Sequence, residues 1–65
     1  MELRKMAEYG LADIPEAAAF LRVSRSKVYE MLQRKELRSI WLGKCRRIPR
    51  LELINYVEQK LSAHS

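Results

Sequence analysis

The sequence contains little cysteine and histidine. Cys45 and His64 are the single representatives of their types among 65 residues. One cysteine excludes an internal disulfide and is typical of a reducing compartment. A structural zinc normally takes four ligands, so we expect no metal, and nothing in the sequence predicts another cofactor. The sequence also lacks a His/Cys/Asp cluster and a phosphate-binding loop, which predicts a protein that is not an enzyme.

Long hydrophobic runs are absent as well. The N-terminal segment MELRKMAEYGLAD has no apolar stretch long enough for a signal peptide, and no segment approaches the length of a membrane span. We therefore expect a cytoplasmic protein without a membrane partner. A chain this short buries only about 60% of its unfolded surface, so we expect one small domain with a thin core.

Negative charge is scarce in the middle of the chain. The net charge is +5, but residues 22–50 hold ten cations and two anions, a local net of +8, while the flanks sum to −3. A basic segment between acidic flanks is typical of a protein with a polyanionic partner such as nucleic acid. An acidic protein partner is the alternative from another class. RNA is less favoured, because aromatic side chains for stacking on single-stranded bases are few.

Two short helices are predicted in the first half of the chain. In DIPEAAAFL, Asp13 can cap a helix, Pro15 fits its first turn, and Glu16 completes the spacing of a capping box. We expect Phe20 and Leu21 to supply bulk to the core. Ser24 is a candidate cap for a second helix over residues 25–34, whose apolar stripe is Val28, Met31 and Leu32. Two helices joined by about three residues have the spacing of a helix-turn-helix.

The segment SIWLGKCRRIP favours a β-hairpin around its glycine. A two-residue turn would pair Ile40 with Arg47, whereas a three-residue loop would pair Ile40 with Ile48. The longer loop places Ile40, Leu42 and Ile48 on one buried face, so we expect that register. It also sets Trp41 opposite Arg47, where a cation–π pair would stiffen the hairpin.

A third helix, RLELINYVEQKL, is expected to follow Pro49, with an apolar stripe formed by Leu51, Ile54, Val57 and Leu61. The expected fold is mainly α with a small β-hairpin wing. It is a winged helix-turn-helix of three helices plus a two-stranded antiparallel hairpin, over residues 11–61. Residues 1–10 are predicted to form an N-terminal arm or short helix, and residues 62–65 a frayed tail.

Residues 11–61 resemble the excisionase family of small DNA-binding domains, which is related to the MerR-type winged helix. Two positions depart from the family pattern by replacing a glycine, namely Arg22 between the first two helices and Lys35 after the second. Trp41 replaces a basic residue that is usual in the wing. The segments that carry the resemblance are Ala17-Ala18, VSRSKVY (residues 23–29), Glu36-Leu37 and RRIPR (residues 46–50).

The resemblance implies a recombination directionality factor. Such a protein binds double-stranded DNA at the attachment site of a phage or mobile element, usually cooperatively, and bends it so that a cognate integrase excises the element. It would act in the host cytoplasm, associated with the nucleoid. Transcriptional regulators share the fold, and no residue of this sequence separates the two roles.

The second helix is the predicted reading element. Its N-terminus favours a phosphate, and arginine can read guanine in the major groove through paired donors. Ser24 either only caps this helix or also contacts DNA, and Glu30 either accepts from a cytosine amino group or pairs with a neighbouring cation. Lys27 and Arg34 are expected on backbone phosphates. The predicted DNA contacts are Ser24, Arg25, Ser26, Lys27, Tyr29, Glu30 and Arg34 in the helix and Lys44, Arg46 and Arg47 in the wing.

One reading helix and one wing cover only about one turn of duplex, which gives limited specificity. We therefore expect several copies to associate side by side on DNA through contacts that do not close on themselves. The expected contact surfaces are residues 1–10 and the acidic positions Glu52 and Glu58, which can meet the basic wing of a neighbour.

Overall fold

The computed structural model describes residues 9–63, and it has the predicted winged helix-turn-helix architecture of three helices and an antiparallel hairpin. A short additional strand extends the hairpin to a three-stranded sheet with the order β1-β3-β2. Residues 1–8 of the predicted arm, which was placed at residues 1–10, and residues 64–65 of the predicted tail lie outside the described residues. The elements are β1 (Leu11–Ala12), α1 (Ile14–Leu21), α2 (Arg25–Gln33), β2 (Ile40–Leu42), β3 (Cys45–Pro49) and α3 (Arg50–Ala63).

Helix α1 begins with the predicted capping box. The Glu16 N–H donates to Asp13 Oδ1 at 2.8 Å, and the Asp13 N–H donates to Glu16 Oε1 at 3.0 Å. The inward face of the helix carries Ile14, Ala17 and Ala18, with Leu21 half-buried against the core. Phe20 is 45% exposed, so its predicted place in the core is wrong. The inward stripe follows positions three and four apart from Ile14, and residue 20 lies off that stripe.

Helices α1 and α2 are each followed, within two residues, by a residue in the left-handed conformation. Arg22 has φ 57° and Lys35 has φ 65°, and neither residue is a glycine. At each end, two backbone N–H groups turn back to helix carbonyls, the pattern of a Schellman motif. The four bonds are Val23 N to Ala18 O, Arg22 N to Ala19 O, Glu36 N to Met31 O and Lys35 N to Leu32 O, at 2.9–3.2 Å. Both turns thus have the backbone geometry that favours glycine, although an arginine or a lysine occupies the position.

The wing hairpin has a two-residue turn, so the predicted three-residue loop is wrong. Gly43 takes a positive φ of 65° and Lys44 does not, which fits a type II′ turn and the twist of the strands. The apolar alternation could not set the register, because β2 lies beyond the core and both Ile40 and Leu42 are exposed. The observed cross-strand pairs are Ile40–Arg47, Trp41–Arg46 and Leu42–Cys45.

Strand β1 pairs with the edge of β3 that β2 leaves open. The partners are Leu11 with Pro49 and Ala12 with Ile48. The Arg50 N–H extends the ladder by donating to the Gly10 carbonyl at 2.9 Å. The base of the wing is therefore tied by backbone hydrogen bonds to the segment that leads into α1.

Helix α3 begins directly after Pro49, as predicted, but it turns a different face to the core. Its one fully buried residue is Leu53, with Tyr56 half-buried beside the core. Val57 and Leu61 of the predicted stripe are exposed, so that stripe is wrong. The helix continues to residue 63, two residues into the predicted tail.

The core lies where α1, α2, α3 and the base of the wing meet. The predicted stripe of α2 is buried there, and no polar side chain of residues 9–63 is buried with it. No helix in this part of the chain is long and apolar enough to cross a membrane. The buried apolar residues are Ala12, Ile14, Ala17, Ala18, Val28, Met31, Leu32, Leu37, Ile48 and Leu53.

Candidate nucleic-acid interface

The N-terminal half of α2 presents a polar surface opposite its buried stripe. The Ser24 hydroxyl caps the helix by accepting from the Lys27 N–H at 3.1 Å, and its own proton remains available to a phosphate. Arg25, Ser26 and Tyr29 are exposed, and within residues 9–63 no side-chain hydrogen bond or ion pair engages them. These free donors lie in the N-terminal half of α2, near the positive end of the helix dipole, which suits an anionic partner.

The remaining predicted residues of α2 are paired with one another. Glu30 Oε1 lies 3.0 Å from Arg34 Nη2 and 3.7 Å from Lys27 Nζ. The geometry therefore matches the pairing alternative for Glu30. The three side chains remain partly exposed, so these ion pairs contribute little stability and can open when a phosphate competes.

The wing holds its cations in two different ways. Lys44 is exposed in the turn, whereas Arg46 is half-buried, with Nε donating to Ser39 Oγ at 2.8 Å. The Arg46 guanidinium also lies 5.4 Å from the centre of the Trp41 ring. The predicted cation–π partner Arg47 is thus wrong, because the two-residue turn moves Trp41 opposite Arg46. Arg47 instead donates from Nη1 to the Arg46 carbonyl at 2.9 Å.

A groove of about 460 Å³ separates α2 from the wing. It brings Arg25 and Tyr29 of α2 together with all three predicted wing cations, whereas Ser26, Lys27 and Arg34 do not line it. Sequence reasoning missed the contribution of the start of α1 and favoured a structural role for Trp41 over a contact with DNA. The position of Trp41 beside three cations was the available signal. The lining residues are Asp13, Ile14, Pro15, Arg25, Tyr29, Trp41, Lys44, Cys45, Arg46 and Arg47.

Glu52, expected to meet a neighbouring copy, is occupied within the chain. Its carboxylate accepts from the Arg38 backbone N–H at 3.1 Å and from Arg38 Nη2 at 3.2 Å, and its side chain is only 11% exposed. This bond ties the segment after α2 to the first turn of α3. Glu58 remains exposed. Among the described residues, no group of His, Cys, Asp and Glu could hold a metal ion.

The three helices, the wing and the basic groove between α2 and the wing define a winged helix-turn-helix protein. A family model described as a helix-turn-helix domain matches residues 13–61. An excisionase of Streptomyces ambofaciens is 35% identical over 51 residues, which cover 78% of this chain and 82% of that protein. A probable excisionase of Saccharopolyspora erythraea is 31% identical over 62 residues, which cover 95% of this chain and 63% of that protein.

The chain therefore belongs to the excisionase family of helix-turn-helix DNA-binding proteins. No solved structure matches it at a comparable level of significance.

Proposed function

We propose that this protein binds double-stranded DNA at the attachment site of a phage or mobile element and directs a cognate integrase toward excision. The observation that carries the proposal is the groove between α2 and the wing, where unpaired donors of the helix face the cations of the hairpin. The excisionases among its relatives support the recombination role rather than a general DNA-binding role.

In this proposal, α2 enters the major groove with its N-terminus first. Arg25 reads a base edge, and Ser26 and Tyr29 bind phosphate or a base edge beside it. Lys27 and Arg34 leave Glu30 to meet phosphates at the two ends of the helix. The wing follows the sugar–phosphate backbone to the adjacent minor groove, where Lys44, Arg46 and Arg47 supply positive charge. The contacts of the wing position the protein on the duplex, whereas the contacts of α2 give it sequence preference.

A single copy is too small to define an attachment site. Each well-read base pair contributes only about 1–3 kcal/mol of discrimination, and one reading helix reaches few of them. We therefore propose that copies bind side by side and bend the duplex between them. The exposed Glu58 of one copy can face the basic wing of the next, and residues 1–10 supply a second contact.

The test is a titration onto DNA that carries two to four tandem sites from the native attachment region. Cooperative binding gives a Hill coefficient above one, and bending gives shifts that depend on site position in circular-permutation gels. An excision assay with the cognate integrase then measures direction.

Binding that is independent at each site, without a bend, would contradict the excisionase role and support a transcriptional regulator of the same fold. Failure to bind any duplex, together with capture of an acidic protein in a salt-dependent manner, would support the protein-interaction alternative.

Lys60→Ala serves as a matched control for Lys44→Ala. Lys60 lies near the end of α3 against Tyr56, so its loss should leave DNA affinity unchanged, whereas the loss of Lys44 should reduce it.

A further inference from the structure

Strand β2 is made entirely of large apolar residues, and none of them is buried. Ile40 is 36% exposed, Trp41 is 63% exposed and Leu42 is 54% exposed. The strand also forms an edge of the sheet, since the order is β1-β3-β2. Three consecutive exposed apolar residues on an edge strand promote aggregation unless a binding partner covers them.

The charge around β2 indicates that its partner is an anion. No acidic residue occurs between Leu37 and Leu51. Arg46 and Arg47 lie opposite β2 in the paired strand β3, and Lys44 lies in the turn between the two strands. The groove beside Trp41 continues to the reading face of α2. Trp41 lies on the groove side of the hairpin, and Ile40 and Leu42 lie on its other face. A narrow hairpin that is apolar on both faces, flanked by cations and continuous with a reading helix fits the minor groove of the same duplex.

We infer that Trp41 and Leu42 enter the minor groove next to the site of α2 and press apart the bases there, so that the wing generates the bend. This inference rests on the proposed binding of duplex DNA and names the residues that deform it. Apolar side chains pushed between base steps partly unstack them and kink the duplex toward the major groove.

The construction of the wing suits this task. The two-residue turn makes the tip narrow, and Leu42 is paired with the small Cys45, which leaves the leucine as the bulky side chain at the tip. The Trp41 ring stacks on the Arg46 guanidinium, and Arg46 Nε in turn donates to Ser39 Oγ. The indole is therefore positioned before binding, and its ordering costs little when DNA arrives.

A second copy of the chain is a poorer partner for this surface. It would have to cover the apolar side chains of β2 as well as meet the wing cations, and Glu52 and Glu16 are already bound to Arg38 and Arg50. The exposed Glu58 of a neighbouring copy can meet a wing cation without covering β2. DNA supplies negative charge at every phosphate without breaking an ion pair of the protein.

Trp41 is the one tryptophan of the sequence, so the tryptophan fluorescence of the protein reports on the environment of this residue. Adding attachment-site duplex should change its fluorescence and protect it from acrylamide quenching. Leu42→Ala keeps this reporter, and we expect it to lower the affinity about tenfold. The contact can bury only the exposed half or so of the leucine, and alanine lacks most of that surface. It should also reduce the bend in circular-permutation gels without changing the salt dependence, since no cation is removed.

Leu61→Ala is the matched control, because Leu61 is 66% exposed near the end of α3 and lines no part of the groove. It should leave affinity and bend unchanged, and thermal melting of both variants checks that they fold. If the duplex binds but Trp41 stays open to acrylamide, the inference is overturned while the proposed function stands. Protection of Trp41 without DNA that grows with protein concentration would also overturn it and assign β2 to a second copy. Absence of duplex binding altogether would contradict the proposed function itself.

Discussion

Replacing the two cationic residues whose backbone is left-handed, Arg22 and Lys35, by glycine should stabilise the protein. Arg22 and Lys35 have φ values of 57° and 65°, and within residues 9–63 neither side chain makes a hydrogen bond or ion pair that would compensate for this backbone. A left-handed conformation costs an L-residue about 1–2 kcal/mol. Glycine removes that cost but loses about 0.5–1 kcal/mol through its greater freedom in the unfolded chain. The expected net gain in the free energy of unfolding is about 0.5–1 kcal/mol at each position.

The two gains should add. Arg22 precedes α2 and Lys35 follows it, so the nine residues of the helix separate them by about 14 Å. For a domain of this size, 1 kcal/mol raises Tm by about 4–8 °C, and the double variant should therefore melt roughly 5–15 °C higher. Circular dichroism during heating and urea unfolding both measure the change.

Arg22→Ala and Lys35→Ala provide the control, because alanine keeps the Cβ and hence the strain. These variants should show no gain. If the alanine and glycine variants were equally stable, backbone strain would not be the cause, and the explanation would be refuted. The same four variants tested on DNA would show whether the cations that cause this strain bind phosphates, since strain retained in a small domain points to a role of the side chain.

The remaining predictions concern DNA binding. The logarithm of the affinity should fall with the logarithm of salt concentration with a slope of roughly −5, because the proposed interface neutralises about five or six phosphates. A slope near −1 in filter-binding assays would mean that the cations lie outside the DNA interface. Arg25→Ala should weaken binding to specific duplex more than to random duplex, whereas Arg47→Ala should weaken both alike and flatten the slope by about one. An unchanged ratio of specific to random affinity in Arg25→Ala would refute its role as the reading residue. Glu30→Gln should release Lys27 and Arg34 and strengthen binding to random duplex, as measured by competition; a selective loss at sites with one particular cytosine would instead show that Glu30 reads a base.

Local signals predicted the helices well. Asp13 and Glu16 are three residues apart and form their capping box without help from the rest of the chain. The buried stripe of α2 followed equally from spacing, because Val28, Met31 and Leu32 can meet the core only on one face. These features depend on neighbours in sequence, and this is why they could be predicted.

The wing and the third helix depended on distant contacts. Strand β1 has two residues, too few for a sequence pattern, and it exists because β3 offers an open edge. The register of the hairpin was mispredicted because Ile40 and Leu42 were assumed to be buried. In α3, Leu53 rather than Leu51 meets the core, since packing at the base of the wing decides which face turns inward.

Because β1 pairs with β3, no flexible hinge within residues 9–63 separates the reading helix α2 from the wing. Strand β1 leads into α1 through Asp13 alone, and α1 packs directly on α2. The span from the reading helix to the tip of the wing is therefore set before DNA arrives. On the proposed function, the duplex would have to adapt to that span. Pyrimidine–purine steps yield most easily to such deformation. A preferred target would then carry one of these steps between the two contacts, at base pairs that no side chain touches.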